Sequence, residues 1–340
     1  MNLLNFTCAW CFIANSTLLN IEWPDGNSQY YGTIINNTKF KLNGIYPDAR
    51  YFSYEVYSID TWEPFWDIHD TIIDTNNNPY IYDIPYNNSL HYSLEIDINV
   101  DNSSANYILI YRIYKGINNT GGVQLPELEV YNNDQYNLVQ QCNNKNRPTI
   151  DIQNNDPYYN LYHSNENNNF YLPQDTKNLF INYDARYLVS FYNNSKKDFK
   201  FAKIQAKIPT FPKSFDKIST NDYDVRYFSF SIIDLSSPRQ TTQTINDEIL
   251  YNSSVNDYVT LYLFCHNINN ISLQLFPPTK DNNYNCSQKI EYFGVLYRQL
   301  LPQYKQQIPN MNFMSNKTIS KKMGDYYPTI FWQTKSNISN

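Results

Sequence analysis

The heptad Asp48-Ala-Arg50-Tyr51-Phe52-Ser53-Tyr54 returns as Asp224-Val-Arg226-Tyr227-Phe228-Ser229-Phe230, 176 residues further on (224 − 48). Two further landmarks follow in the same order. Asp70-Thr-Ile72 and Asp247-Glu-Ile249 come 22 and 23 residues after the heptads (70 − 48 and 247 − 224). Leu109-Ile110-Tyr111-Arg112 is echoed by Val295-Leu296-Tyr297-Arg298, each with a Leu-Pro pair beyond it, Leu125-Pro126 and Leu301-Pro302. A period this long fits a whole folding unit rather than a solenoid turn. A chain of 340 residues also exceeds the roughly 250–300 at which one core stops growing.

The strand signal dominates between these landmarks. Tyr51 to Tyr57, His91 to Val100, Tyr107 to Tyr114, Arg226 to Asp234, Tyr258 to Cys265 and Tyr292 to Leu300 are rich in Tyr, Phe, Ile and Val and are bounded by Asn, Asp, Gly or Pro, which predicts β-strands. In His91 to Val100, Leu94, Ile96, Ile98 and Val100 alternate with Glu95, Asp97 and Asn99, so one face meets a core and the other water. No segment combines a 3.6-residue apolar stripe with capping signals, and Ile208-Pro-Thr-Phe-Pro212 interrupts one candidate. The expected fold is all-β: two antiparallel β-sandwich, jelly-roll-like lobes related by internal duplication. Lobe 1 is placed at 21–130 and lobe 2 at 171–335, with Asp184-Ala-Arg186-Tyr187 beginning the latter's first strand. Residues 131–170, dense in Asn, Asp and Gln, read as a linker or insertion.

Composition narrows the function classes. Hydrophobic residues at 41% and aromatic at 17% exceed what a disordered chain carries, despite a mean hydropathy of −0.60. The bias to Asn, Tyr and Ile, with only 8 Gly, suits an A·T-rich genome such as a protist's or a giant DNA virus's. A net charge of −6 with only Lys196-Lys197 and Lys321-Lys322 clustered excludes a nucleic-acid footprint. No run of 18 apolar residues offers a membrane span. Within residues 1–20, Leu3 to Leu19 is a candidate targeting segment, although it lacks a basic start.

Five cysteines are too few for a disulfide scaffold and wrongly spaced for a four-ligand zinc site. Cys265 and Cys286 flank one hairpin of lobe 2 and can pair in an oxidising compartment. Cys8-Ala-Trp-Cys11 has the spacing of redox and metal motifs, but no βαβ pattern surrounds it and no second such motif completes a set. It reads as a buried or targeting-segment pair. About a dozen N-x-S/T sequons permit glycosylation.

The repeated charges carry the sharpest expectation. Arg50 and Arg226 sit mid-strand among aromatics, where an unpaired guanidinium is expensive. Each is followed at near-equal distance by a carboxylate, which predicts structural ion pairs Arg50–Asp70 and Arg226–Asp247. Arg112 and Arg298 are the second repeated strand arginines. Catalytic signatures are missing: His69, His91, His163 and His266 are scattered, Asp67 and His69 make only a two-ligand start, and no G-x-S-x-G, H-E-x-x-H or phosphate loop occurs. Asp97 to Asp101 mimics half a calcium loop, with Asn102 where Gly is needed. No metal or cofactor is expected.

Together, Pro47-Asp-Ala-Arg50-Tyr-Phe-Ser53, Tyr111-Arg112-Ile-Tyr114, Gly121-Gly-Val-Gln-Leu-Pro126, Lys207-Ile-Pro209-Thr-Phe-Pro212, the second heptad and Tyr297-Arg298-Gln-Leu-Leu-Pro302 resemble a family of uncharacterised, mostly bacterial exported proteins. Its members carry an Ala-Arg-Tyr-aromatic-Ser strand, a Tyr-Arg-x-Tyr strand with a Gly-Gly-Val-Pro-Leu-Pro tail, and a second Arg-Tyr-Trp-Ser unit. Gln124 replaces the usual Pro and Phe228 the usual Trp. The resemblance spans about residues 45 to 305 and implies a β-sandwich fold and export, with no catalytic residues to transfer. Two function classes follow: a non-enzymatic secreted or virion protein binding a glycan or protein partner through Tyr-rich loops, or a carbohydrate-active enzyme using Asp67 and Asp70, or Glu127 and Glu129, in an inter-lobe groove. A closed interface favours the first; a cleft holding two carboxyl groups about 5–10 Å apart favours the second.

Overall fold

The computed structural model describes residues 8–14, 24–36, 39–59, 64–70, 73, 90–98, 107–116, 118–143, 169–172, 182–194, 198–213, 223–234, 240–267, 270–277, 292–301 and 316–334. Among these the chain is nearly all antiparallel β. Lobe 1 holds β1 (Cys11–Ala14), β2 (Ser28–Ile35), β3 (Lys39–Ile45), β4 (Tyr51–Ser58), β5 (Pro64–His69), β6 (His91–Asp97), β7 (Tyr107–Tyr114), β8 (Glu127–Asn132) and β9 (Gln135–Leu138). Lobe 2 holds β10 (Ala185–Asn193), β11 (Phe199–Lys207), β12 (Tyr227–Asp234), β13 (Thr241–Asn246), β14 (Tyr258–Asn267), β15 (Asn270–Gln274), β16 (Tyr292–Leu300) and β17 (Thr329–Thr334). Two short helices, α1 (Asp247–Asn252) and α2 (Asn316–Met323), belong to lobe 2.

Each lobe is a sandwich of two sheets. In lobe 1 the order β1-β2-β7-β4-β5 faces β6-β3-β8-β9, and in lobe 2 β10-β16-β12-β13 faces β15-β14-β11-β17. Seven strands correspond in both chain order and pairing: β2, β3, β4, β5, β6, β7 and β8 match β10, β11, β12, β13, β14, β16 and β17. The register agrees residue by residue. Ser53 lies opposite Arg112 and His69, as Ser229 lies opposite Arg298 and Asn246. The cores match as well. Tyr54 stacks on Tyr111 with centroids 4.7 Å apart, and Phe230 stacks on Tyr297 at 4.5 Å, each pair bridging the same two neighbouring strands.

The predicted β7 and β16 fall on their observed bounds, and Leu94, Ile96 and Ile98 turn toward the lobe 1 core while Glu95 and Asp97 face water. The boundaries need correction at two places. Within residues 1–20, Ala9, Trp10 and Cys11 are buried and Cys11–Ala14 is an edge strand of lobe 1 paired with β2. The supposed linker 131–170 begins inside lobe 1, because Asn133 and Asp134, at φ 52° and 59°, form a two-residue turn that folds β9 onto β8. Asn and Asp tolerate that left-handed pair, whose twist suits a tight hairpin. At the other end of this segment Phe170 already packs into the lobe 2 core.

The central strands of the two facing sheets are buried on both faces. Phe52, Tyr54 and Val56 of β4 enter the lobe 1 core, while Tyr51, Ser53, Glu55 and Tyr57 point the other way and are equally buried. Tyr51 and Tyr114 meet Ala185, Tyr227 and Leu300 in one apolar cluster across the lobes. Phe230→Ala is expected to lower stability by about 3–5 kcal/mol, because it removes one ring of a stacked core pair and leaves a cavity; chemical denaturation of the full chain measures it.

Candidate functional site

The polar side chains of this inter-lobe seam form the candidate site. They obey an approximate two-fold exchange. Arg50, just before β4, extends its guanidinium to Asp247 and to Glu248 (2.5 Å), both on α1 of lobe 2. Arg226, its counterpart before β12, reaches Asp70 of lobe 1 at 3.1 Å and donates to the Arg50 carbonyl at 3.0 Å. The predicted partners are therefore corrected: the four residues are ion-paired, but Arg50 takes Asp247 and Arg226 takes Asp70. The arginine backbones explain the geometry. Arg50 N–H donates to Tyr114 O and Arg226 N–H to Leu300 O, which fixes each side chain at the seam end of its sheet, facing the other lobe.

The exchange extends further. Asp25 and Asn182 occupy equivalent turns, each accepting the N–H two residues ahead at 2.8 Å. Tyr227 of lobe 2 donates to Asp25 at 2.7 Å, and Tyr51 of lobe 1 donates to Asp184 at 2.8 Å and accepts from Asn182 Nδ2 at 3.3 Å. Asn246 meets Asn27 at 3.1 Å, and at the equivalent place His69 Nε2 lies 3.8 Å from Asp184.

One position breaks the exchange. Arg298 crosses to Asp25 at 2.7 Å, with Ser229 also donating to that carboxylate. At the position of Asp25 the equivalent turn has Asn182, whose amide carries no charge. Arg112 instead binds Glu55 on the neighbouring strand at 2.6 Å, and Tyr57 bridges the two. Ser231 and Ile233 stand at the corresponding positions of lobe 2. Glu55 also crosses the seam, accepting the Tyr183 N–H at 2.9 Å. All four repeated arginines thus meet carboxylates, as burial of a guanidinium demands.

The seam is electrostatically tense. Burial pushes Glu55 up to about 7 although Arg112, Tyr57 and the Tyr183 N–H oppose the shift, and burial likewise raises Asp247 to about 6 against the pull of Arg50. For His69 burial acts downward, but Asp70, Asp184 and Asp67 outweigh it and raise the imidazole. Burial also raises Asp67 and Asp184.

The remaining candidates are dispersed. Asp67 and His69 lie two apart on edge strand β5, half-buried, while Asp70 is engaged by Arg226. Glu127 and Glu129 are on β8 in the sheet that lies away from the seam, with Glu129 accepting from Asn43 at 2.9 Å. Cys265 is buried in the lobe 2 core and disulfide-bonded; Cys286 lies outside the described residues. Among the described residues the one cluster of metal-competent side chains is Cys8, Cys11 and Cys142, whose sulfurs lie within 4.8 Å of one another. The Cys8-Ala-Trp-Cys11 motif has no βαβ setting and no second C-x-x-C, and its third member, Cys142, lies more than a hundred residues away in the chain.

No family model and no curated protein matches the chain. Among solved structures it is similar to an uncharacterised protein from Burkholderia cenocepacia, with a TM-score of 0.55 and 7% identity over 97% of this chain and 83% of that one. A second similarity is to the VPA0106 protein from Vibrio parahaemolyticus, with a TM-score of 0.41 and 8% identity over 91% of this chain and 89% of that one. At such identities the first comparison speaks to fold alone: an all-β sandwich architecture. No helix among the described residues is long and apolar enough to cross a membrane.

A double-mutant cycle tests the exchanged pairs. Arg50→Met is expected to cost about 3–5 kcal/mol by stranding Asp247, and adding Asp247→Leu to recover at least half. Arg50→Met with Asp70→Leu should show no such recovery.

The seam also sets the pH response. Glu55 and Asp247 bind protons more tightly folded than unfolded, so each favours the native state at low pH. That contribution fades as pH rises from the ordinary carboxylate range to about 7 for Glu55 and about 6 for Asp247. Protonated His69 acts in the same direction, its contribution fading as pH rises through its raised pKa. Melting curves between pH 4.5 and 8 should show stability falling with pH. Glu55→Gln should be less stable throughout but flatter, by up to about 3 kcal/mol across the range.

Proposed function

We propose that the chain is a non-enzymatic, exported or virion-associated binding protein, akin to the exported family its strand signatures resemble and descended from a duplicated sandwich. The observation that carries this reading is the closed seam. Asp25, Glu55, Asp70 and Asp247 are buried to 6% exposure or less and each is held by an arginine, so they serve to lock the lobes rather than to meet a substrate. An oxidising setting is supported by the disulfide at Cys265.

The binding surface is then an outer one. Helix α1 and the turn after it expose Ile249, Tyr251, Val255 and Tyr258 by 44–72%. Asn256 and Asp257, at φ 52° and 63°, form the tight turn that bridges Val255 to Tyr258. Lys213 lies 4.5 Å over the Tyr251 ring, leaving an amphipathic aromatic edge of the kind that stacks on a sugar or packs on a protein. The ligand in this reading is a glycan or protein partner.

Glycan-array and cell-surface binding of the purified full chain test it. Retention on one glycan or surface class is expected, weakened several-fold to about tenfold by Tyr251→Ala or Tyr258→Ala with the melting temperature unchanged. Turnover of a glycoside without such retention would favour the enzyme reading instead.

A further inference from the structure

The cysteine cluster at the outer edge of lobe 1 lies outside the seam and outside the binding surface. Cys142 stands within disulfide reach of two partners, with Cα atoms 4.9 Å from Cys8 and 5.4 Å from Cys11. Both separations fall in the range a disulfide spans, yet a sulfur carries one such bond at a time. The Cys8 and Cys11 sulfurs are themselves 3.6 Å apart. Backbone holds this arrangement: Ala9 N–H donates to Gln140 O and Cys142 N–H to Ala9 O, both at 2.8 Å. Trp10, at φ 59°, turns the motif so that its two cysteines converge, and its own N–H is tied to Thr33 Oγ1 at 2.7 Å.

We propose that Cys8, Cys11 and Cys142 form a thiol–disulfide exchange site that takes a low-molecular-weight thiol or its disulfide as co-reactant. Cys142 bonds to Cys8 or to Cys11, and the third residue carries a thiol. Exchange begins when the Cys11 thiolate attacks Cys142 Sγ of the Cys8–Cys142 bond. A Cys11–Cys142 bond forms, the Cys8–Cys142 bond breaks, and Cys8 leaves as thiolate and takes up the proton, with no net oxidation. The two isomers differ in access. Cys8 is half-buried, whereas Cys11 is 2% exposed and packed with Tyr57, Ile59 and Ile108. Exchange therefore moves the thiol between a shielded and an accessible position. In the accessible isomer, Cys8 thiolate attacks oxidised glutathione, forming a Cys8–glutathione disulfide and releasing glutathione thiolate.

Alkylation of the full chain with excess N-ethylmaleimide during rapid denaturation, without reductant, followed by fragment sequencing in the mass spectrometer, tests this. The expected result is adducts on Cys8 in some molecules and on Cys11 in others, with Cys142 disulfide-linked in both. Oxidised glutathione should add its mass at Cys8, at least tenfold less in Cys8→Ser. Cys8→Ser and Cys11→Ser should each keep a disulfide to Cys142. A single fixed linkage in every wild-type molecule would overturn the proposal, as would a Cys8–Cys11 disulfide or three reduced thiols with stoichiometric zinc or copper by elemental analysis. The wild-type map decides the matter even where a variant fails to fold.

Discussion

A guanidinium on the inner surface of a sheet must find a carboxylate, because desolvating it alone is far more expensive than any packing it allows. Among the described residues there are four such groups, Arg50, Arg112, Arg226 and Arg298, all at 7% exposure or less. Three draw their carboxylates from the opposite lobe, and the fourth is held within its own sheet by Glu55, which is itself hydrogen-bonded from lobe 2. Separating the lobes would strand Arg50, Arg226, Arg298, Asp247, Asp70 and Asp25 together. The seam is thus a condition of each lobe's stability and not merely a contact between two finished sandwiches.

The deviations from two-fold exchange are informative because they occur in compensating sets. Where lobe 1 has Asp25, lobe 2 has Asn182, and the carboxylate missing from that position is replaced for Arg112 by Glu55, whose counterpart is Ser231. Where one side joins Asn246 to Asn27, the other joins His69 to Asp184. Each difference keeps donors matched to acceptors. The exposed Ile249, Tyr251, Val255 and Tyr258 lie on the outer side of α1 and the turn after it, while Asp247 and Glu248 at the start of the same helix meet Arg50 in the seam.

Much of the strand layout was legible in the residues. Tyr107 to Tyr114 and Tyr292 to Leu300 are apolar runs with clear turn residues at both ends, and they are strands over those spans. β9 was hidden because Gln135-Tyr-Asn-Leu138 carries no apolar alternation and only the Asn133-Asp134 turn marks the hairpin. The short β1 was masked by an interrupted apolar stretch that also resembles a targeting segment. The importance of Arg50, Asp70, Arg226 and Asp247 could be read from their repetition, since a charge recurring in an aromatic strand signals a burial that has to be neutralised.

Their partnerships could not be read in that way. Asp70 stands 20 residues after Arg50 and Asp247 stands 21 after Arg226 (70 − 50 and 247 − 226), and intra-lobe and exchanged pairings satisfy the same charge count. Only the packing of one lobe's seam against the other selects the exchanged set. The same holds for the cysteines: residues 8 and 11 announce a motif, but Cys142 joins them because Ala9 pairs with the backbone at Gln140 and Cys142. Residue order and periodicity determined two antiparallel sandwiches and the identity of the charges to be buried. Contacts between segments far apart in the chain decided which charge meets which, because such contacts depend on the docking of complete sheets rather than on local pattern.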